Sequence, residues 1–490
     1  MDTPLAAAPP AAARGRRLLV IAAAVHILML ALYLTGALSW MFPVTSLPAR
    51  RGDSLFAFYQ AGVNLRAGVS PYTDPAQLDP ALVRAHSVSP FRYSPVVALV
   101  FSGLSRISRP ETLYWVWLGV LEGVLWLCVL LTLRARRFGH RRYAAAAMWL
   151  AFTPFCVELY LGQISTLMAL GILVLLLDAA GARPVGEGRW RSVLLPLAWA
   201  GTMLIKVFTV LFAAAYFRAG KRGMVLGGGG IVLVLCGAYF ATHPADLRHF
   251  MAVNSGPFVG LVYPGLMGFQ AFIRSIADHV MPASLRSVYV GLGPLDVSLA
   301  NLPAAVIIPV IVALGLWGTW RLRSTDEFRG LALWIAVFFL IYRQVWEYHY
   351  VMFIPVVACA YMMTGARWSV WAWAIMALPT PYALLNLVGG GMEQSPLWIL
   401  LHAAKPLAVV ISFVALFPWR VPVLRPEAAR VPRPTGDWGA APAAVPALEP
   451  AVVQRVDWSV AKRREPAGAV DELVLAADAR HPSAGAEAGE

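Results

Sequence analysis

Twelve apolar runs separated by short polar or basic stretches divide this chain: 18–42, 93–107, 112–133, 143–160, 164–180, 192–217, 224–241, 302–320, 330–345, 350–364, 368–385 and 396–418. A helix needs about 20 apolar residues to cross a bilayer, and most of these runs are close to that length. The pattern predicts an all-α polytopic membrane protein with about twelve transmembrane helices. The composition agrees, because 59% of the 490 residues are hydrophobic and only 13% are charged, against roughly 45–50% and about 25% in soluble domains. A cytosolic enzyme, a secreted disulfide scaffold and a disordered chain are excluded for the bulk of the sequence. The four cysteines (Cys128, Cys156, Cys236 and Cys359) lie inside apolar runs without paired spacing. They read as small core residues, neither a disulfide framework nor a metal site.

The formal net charge of +14 belongs to the membrane body, because 420–490 carries nine basic against ten acidic side chains. That Ala- and Pro-rich segment has no apolar periodicity and is expected to be a disordered cytoplasmic tail. A positive excess in a membrane protein points to cytoplasmic loops and anionic headgroups, with no nucleic-acid partner implied. Residues 1–17, with Arg14, Arg16 and Arg17, are expected to be cytoplasmic, and 18–419 to form the membrane domain. The first run exceeds the apolar region of a signal peptide, about 7–15 residues, and reads as a first transmembrane helix. The basic loops 134–142, 183–191, 218–222 and 321–329 should also be cytoplasmic. One crossing per run puts the first two on the wrong side. The conflict vanishes if 93–107 dips in without crossing and 192–217 is a hairpin bent near Lys206. Either arrangement leaves 43–92, 242–300 and 346–349 outside. The two differ over the ends near Gln163 and Lys206.

Chemistry is confined to a few polar positions. In the first outer loop, apolar residues at 55, 56, 58, 59 and 63 fit a short amphipathic helix along the membrane surface, opened by Asp53. Asp53 reads either as an N-cap or as a general base that takes a proton from an attacking hydroxyl. Arg92, just before the Pro95 that opens the second run, is a snorkelling anchor or a ligand for a lipid phosphate. Lys206 inside an apolar run needs a partner or a wet cavity, since burying it costs about 2.5–3.5 kcal/mol on insertion scales. His349, within Trp346-Glu347-Tyr348-His349-Tyr350, is an interfacial residue or a functional one. Arg343 stands four residues before Glu347, a spacing at which the two would pair on one helix face.

Read in order, these segments resemble a known family. Asp53, then Tyr59-Gln60-Ala61-Gly62-Val63-Asn64-Leu65, Gly68-Val69-Ser70-Pro71-Tyr72 and Phe91-Arg92-Tyr93-Ser94-Pro95 follow a first helix. Later come Leu161-Gly162-Gln163-Ile164-Ser165, the lone Lys206, Gly268-Phe269-Gln270 and 346–350. This succession is similar to the polyprenol-phosphate-dependent glycosyltransferases of the GT-C class, and most to glycosyltransferase family 87, whose members include mannosyl- and arabinofuranosyltransferases. The departures are Ser165 where asparagine is usual, Thr209 where a proline follows the lysine, and the missing Asn and Ser around Gln270.

The resemblance implies a GT-C-like fold with short amphipathic helices in the first outer loop. It implies an inverting transfer of a hexose, mannose being the leading candidate, from a polyprenyl-phosphate-sugar to a glycolipid or glycan acceptor. The site would face the outer side of the inner membrane, as suits cell-envelope glycolipid synthesis. In that reading Asp53 is the base, and Arg92, Lys206 and His349 hold the donor phosphate. Tyr59, Tyr93, Gln163, Gln270, Arg343, Trp346 and Glu347 contact substrate, with Glu347 also able to orient His349 or act as a substitute base. No cofactor is expected, because basic side chains can take the place of a metal at a lipid monophosphate, and no Asp-x-Asp pair lies near Asp53 or elsewhere in the membrane body. Two other classes compete: a secondary transporter, which would show inverted halves, and a polymerase or ligase acting on diphosphate-linked glycans.

Overall fold

The computed structural model describes residues 10–37, 52–73, 91–186, 188–254, 262, 265–292, 295–378 and 396–419, all within the unit Met1–Pro422. The expected disordered tail at 420–490 and the outer-loop segments 38–51 and 74–90 lie outside the described residues. Every apolar run contains a helix, and the chain is an all-α polytopic membrane protein.

Helix α1 (Pro10–Leu34) starts ahead of its apolar run, because the alanines and arginines before Leu18 are strong helix formers. Helices α2 (Asp53–Arg66), α3 (Pro95–Ile107) and α4 (Pro110–Arg134) follow, the last two opening on a proline that needs no N–H at that position. The run 143–160 is split into α5 (Arg141–Leu150) and α6 (Pro154–Leu161), bent by 44°. Pro154, which has no N–H to give, opens the second of them. Next come α7 (Ser165–Ala179), α8 (Arg189–Ile205), a 3-10 turn (Val207–Leu211), α9 (Phe212–Arg218), α10 (Arg222–Thr242) and α11 (Pro244–Asn254). The second outer region holds α12 (Phe269–Val280), α13 (Ala283–Arg286) and an antiparallel hairpin of β1 (Tyr289–Leu292) and β2 (Leu295–Ser298), Tyr289 opposite Ser298. The chain closes with α14 (Leu302–Arg321), α15 (Glu327–Ile341), a 3-10 segment (Glu347–Phe353), α16 (Ile354–Thr364), α17 (Arg367–Ala377) and α18 (Pro396–Leu416).

Among the described residues four helices (α1, α4, α10 and α14) are long and apolar enough to cross a membrane unaided, and the bent α5–α6 pair makes up to five. Their outer faces carry large apolar side chains, such as Ile21, 60% exposed, Leu226, 76%, and Val306, 61%. Lipid is the solvent that covers such a surface without cost. Helix α15 is apolar all round and is accordingly central, with 330–340 wholly buried.

Helix α2 forms as expected, but its apolar face is turned inward onto α3, with Leu55 and Phe58 fully buried. The crossing is close: a Cβ on Gly62 would lie 2.4 Å from the carbonyl carbon of Phe101.

The basic loops gather at one pole. Asp178 at the end of α7 pairs with Arg191 at 2.7 Å and Lys221 at 3.7 Å, and Lys221 pairs with Glu327 at 2.6 Å. Arg16 stands over Tyr143 at 5.4 Å, Arg141 donates to Met363 O at 3.4 Å, and Arg329 donates to Phe417 O at 2.8 Å. These contacts join 134–142, 183–191, 218–222 and 321–329 to both ends of the described membrane body.

Replacing Gly62 by alanine forces the α2 and α3 backbones apart and should cost about 1–3 kcal/mol, as overpacking does. Gly103→Ala, where a Cβ meets nothing within 4 Å, should leave stability unchanged or raise it. Melting of the two purified variants in detergent compares them directly.

Candidate active site

Four interruptions of the helical backbone meet at the other pole. Gly52, with φ 82°, precedes Asp53 at the start of α2, and its N–H reaches Tyr160 O at 2.8 Å. Gly162, with φ 63°, ends α6, and a side chain there would collide with Leu55, whose Cβ lies 2.8 Å from the position a Cβ would take. Lys206 is extended (φ −142°, ψ 120°) between α8 and the 3-10 turn. Helix α15 stops at Ile341, and the 3-10 segment starts at Glu347. Residues 265–267 run antiparallel to 345–347 and hold that turn: Met267 N donates to Val345 O at 2.8 Å and Glu347 N to Gly265 O at 3.0 Å.

Between these breaks lies a cavity of about 660 Å³, within the size range of ligand sites. Asp53, Arg92, Tyr93, Gln163, Lys206, Arg343, Trp346, Glu347 and His349 all line it. Gln163 and Lys206 therefore share a pole with Asp53, opposite the basic loops. Of the two arrangements of the runs, this co-location is the one with a short α3 and a bend at Lys206.

The polar groups are linked. Tyr93 OH donates to Gln163 Oε1 at 2.8 Å, and Gln163 Nε2 bonds Ser54 Oγ. Arg92 donates to Gln344 Oε1, and Arg343 to Val253 O at 3.3 Å. The backbone N–H of Trp346 donates to His349 Nδ1 at 2.9 Å, so the neutral ring carries its proton on Nε2. That nitrogen meets Lys206 Nζ. Two donors thus stand side by side on the wall. Elsewhere the lining is apolar, with Phe208 stacked on Phe338 at 3.4 Å between ring centroids and Val207 and Met251 each 53% exposed.

The family model for glycosyltransferase family 87 matches residues 91–342, just over half of the chain. The chain belongs to glycosyltransferase family 87. No curated protein and no solved structure matches it. Family membership and the apolar helices together make this a membrane glycosyltransferase.

Two residues expected to contact substrate in this family 87 protein stand apart from the cavity, and one expected pairing is not formed. Tyr59 lies outside the cavity, its hydroxyl 3.4 Å from Ser108 O. Gln270 is also outside; it is buried and donates to Ile341 O at 2.6 Å, which fixes the end of α15. Arg343 and Glu347 do not form an i, i+4 pair, because the helix ends before either residue. Glu347 instead accepts from Lys405 Nζ of α18 at 2.6 Å, both side chains being at most 3% exposed. With Glu347 neutralised, the wall presents three cationic side chains (Arg92, Lys206 and Arg343) and the carboxylate of Asp53, an excess of positive charge. Among the described residues no group of three His, Cys, Asp or Glu side chains stands close enough to hold a metal ion.

Sequence reasoning missed Ser54, Gln344 and Lys405, and also Glu158, whose Oε1 accepts from Thr166 N at 2.8 Å beneath the cavity. Lone ionisable residues in apolar runs were the available signal for Lys405 and Glu158, as for Lys206. The Lys405–Glu347 pair gives a direct expectation. Lys405→Met should destabilise the protein by about 3–5 kcal/mol, because it strands a buried carboxylate. Lys405→Met combined with Glu347→Gln should recover much of that loss in the same unfolding assay.

Proposed function

We infer that this family 87 glycosyltransferase uses a lipid-linked sugar phosphate as donor, specifically a polyprenyl-phosphate hexose, with mannose as the first sugar to test. The observation that carries this reading is the pairing of an excess of positive charge with an apolar half in one cavity. An anionic oxygen is the group that satisfies two adjacent donors, as His349 Nε2–H and Lys206 are. Arg92 would share the phosphate. The polyprenyl chain would lie on Val207, Phe208 and Met251, where the wall is exposed toward the apolar exterior.

The reaction is a direct displacement. Asp53 takes the proton of an acceptor hydroxyl, whose oxygen bonds to the anomeric carbon on the face opposite the phosphate. The bond from that carbon to the phosphate oxygen breaks, and the lipid phosphate leaves with both electrons. The sugar inverts. Charge that develops on the leaving oxygen is met by preorganised donors in a site of low dielectric, the arrangement expected to contribute most to the rate. These cations would do the work of a metal, and we place metal independence within the proposal. Tyr93, Gln163 and Trp346 are assigned to the sugar. The acceptor is a glycolipid or glycan hydroxyl. By the positive-inside rule the basic pole faces the cytoplasm, which puts the cavity on the outer side of the inner membrane.

Membranes carrying the wild type should transfer labelled mannose from polyprenyl-phosphate-mannose in the presence of EDTA. Asp53→Asn should lower that rate at least 10²-fold, the lower end of what a general base contributes, without changing expression. An Asn variant that transfers at the wild-type rate removes Asp53 from the chemistry, and loss of activity in EDTA removes metal independence. Arabinose or glucose donors that work where mannose fails would change the sugar and keep the donor class.

A further inference from the structure

Glu158 is a fully buried carboxylate with no part in the reaction above, although Val157, Leu161 and Gln163 around it all line the cavity. Its Oε1 accepts the backbone N–H of Thr166 at 2.8 Å and the Thr166 hydroxyl at 3.2 Å, at the N-terminus of α7. Its Oε2 is buried and has no hydrogen-bond partner among the described residues. Capping a helix takes one acceptor oxygen, which an amide supplies as well as a carboxylate. A full charge buried in a membrane body is expensive unless another charge offsets it. Helix α6 packs on the 3-10 segment that carries His349, and His349 meets Lys206. Helix α6 and Lys206 thus both adjoin the segment that carries His349.

We propose that Glu158 is a positioning residue that supplies the counter-charge of Lys206 between turnovers and thereby limits how tightly the site holds an anion. This rests on the phosphate role given to Lys206 above. The donor is a phosphodiester with one negative charge, whereas the product is a monoester with up to two. Arg92, Lys206 and Arg343 alone would retain the product more strongly than they bind the donor. Glu158 offsets one of those charges, so the lipid phosphate can leave.

The test uses the full chain purified in detergent, with two probes: a polyprenyl monophosphate and inorganic phosphate. Glu158→Gln keeps the acceptor for Thr166 and removes the charge. It should bind the lipid phosphate about tenfold more tightly, the scale of one unit charge acting over roughly 10 Å at an effective dielectric near 20. Turnover should fall and product inhibition should strengthen. The gain should vanish when Lys206→Met is added. Thr166→Val, which weakens the cap and leaves the charge, should tighten nothing. A double-mutant cycle on melting temperature gives a second reading that does not need the single Gln variant to be active. Lys206→Met should lose stability that Glu158→Gln restores. If Glu158→Gln binds both probes no more tightly than wild type, or if the cycle shows no coupling, the proposal is overturned. A gain for inorganic phosphate in a protein that ignores the lipid keeps the Glu158 assignment and removes the lipid donor.

Discussion

Inside a bilayer a backbone has no water to fall back on, so a helix may be broken only where protein or a wet cavity satisfies the freed groups. This constraint organises the molecule. The start of α2 at Gly52, the end of α6 at Gly162, the extended Lys206 and the stop of α15 at Ile341 are all interruptions that would be costly against lipid. They are brought together, and the space they leave is the cavity. The same breaks turn polar side chains inward. A polar site and a fold with interrupted helices are therefore one solution to one problem.

The two poles carry charge in different ways. At the pole of the basic loops, Asp178, Arg191, Lys221 and Glu327 form a chain of ion pairs that ties three loops together. At the cavity pole the links between elements are hydrogen bonds, such as Tyr93 to Gln163, together with the buried ion pair of Glu347 and Lys405. In the proposed reading Arg92 and Lys206 at that pole are held for the donor phosphate.

Much of this was legible in the sequence because apolar run length and lone ionisable residues report directly on burial in lipid. Each run produced a helix, and nine of the named polar residues share one cavity. What escaped was three-dimensional pairing. The Arg343–Glu347 spacing assumes a continuous helix, and the sequence gives no sign that α15 ends at Ile341. Tyr59 shares an amphipathic pattern with Phe58, but periodicity does not say which partner a face will meet. Gln270 drew attention through its neighbours in a motif, whereas its amide serves a backbone carbonyl. Lys405 carried the same signal as Lys206, a lone cation in an apolar run, and its meaning became visible only with Glu347 beside it.

The ion pair of Glu347 with Lys405 also has a consequence in time. The two residues are 58 positions apart, which at about 5–20 residues per second separates their synthesis by roughly 3–12 seconds. Through that interval the nascent chain holds a carboxylate in or beside the membrane without its cation. The turn that carries His349 cannot settle until α18 arrives. The last of the described helices is thus the one that locks the site, and a chain released before Lys405 would be a substrate for membrane quality control before it could be an enzyme.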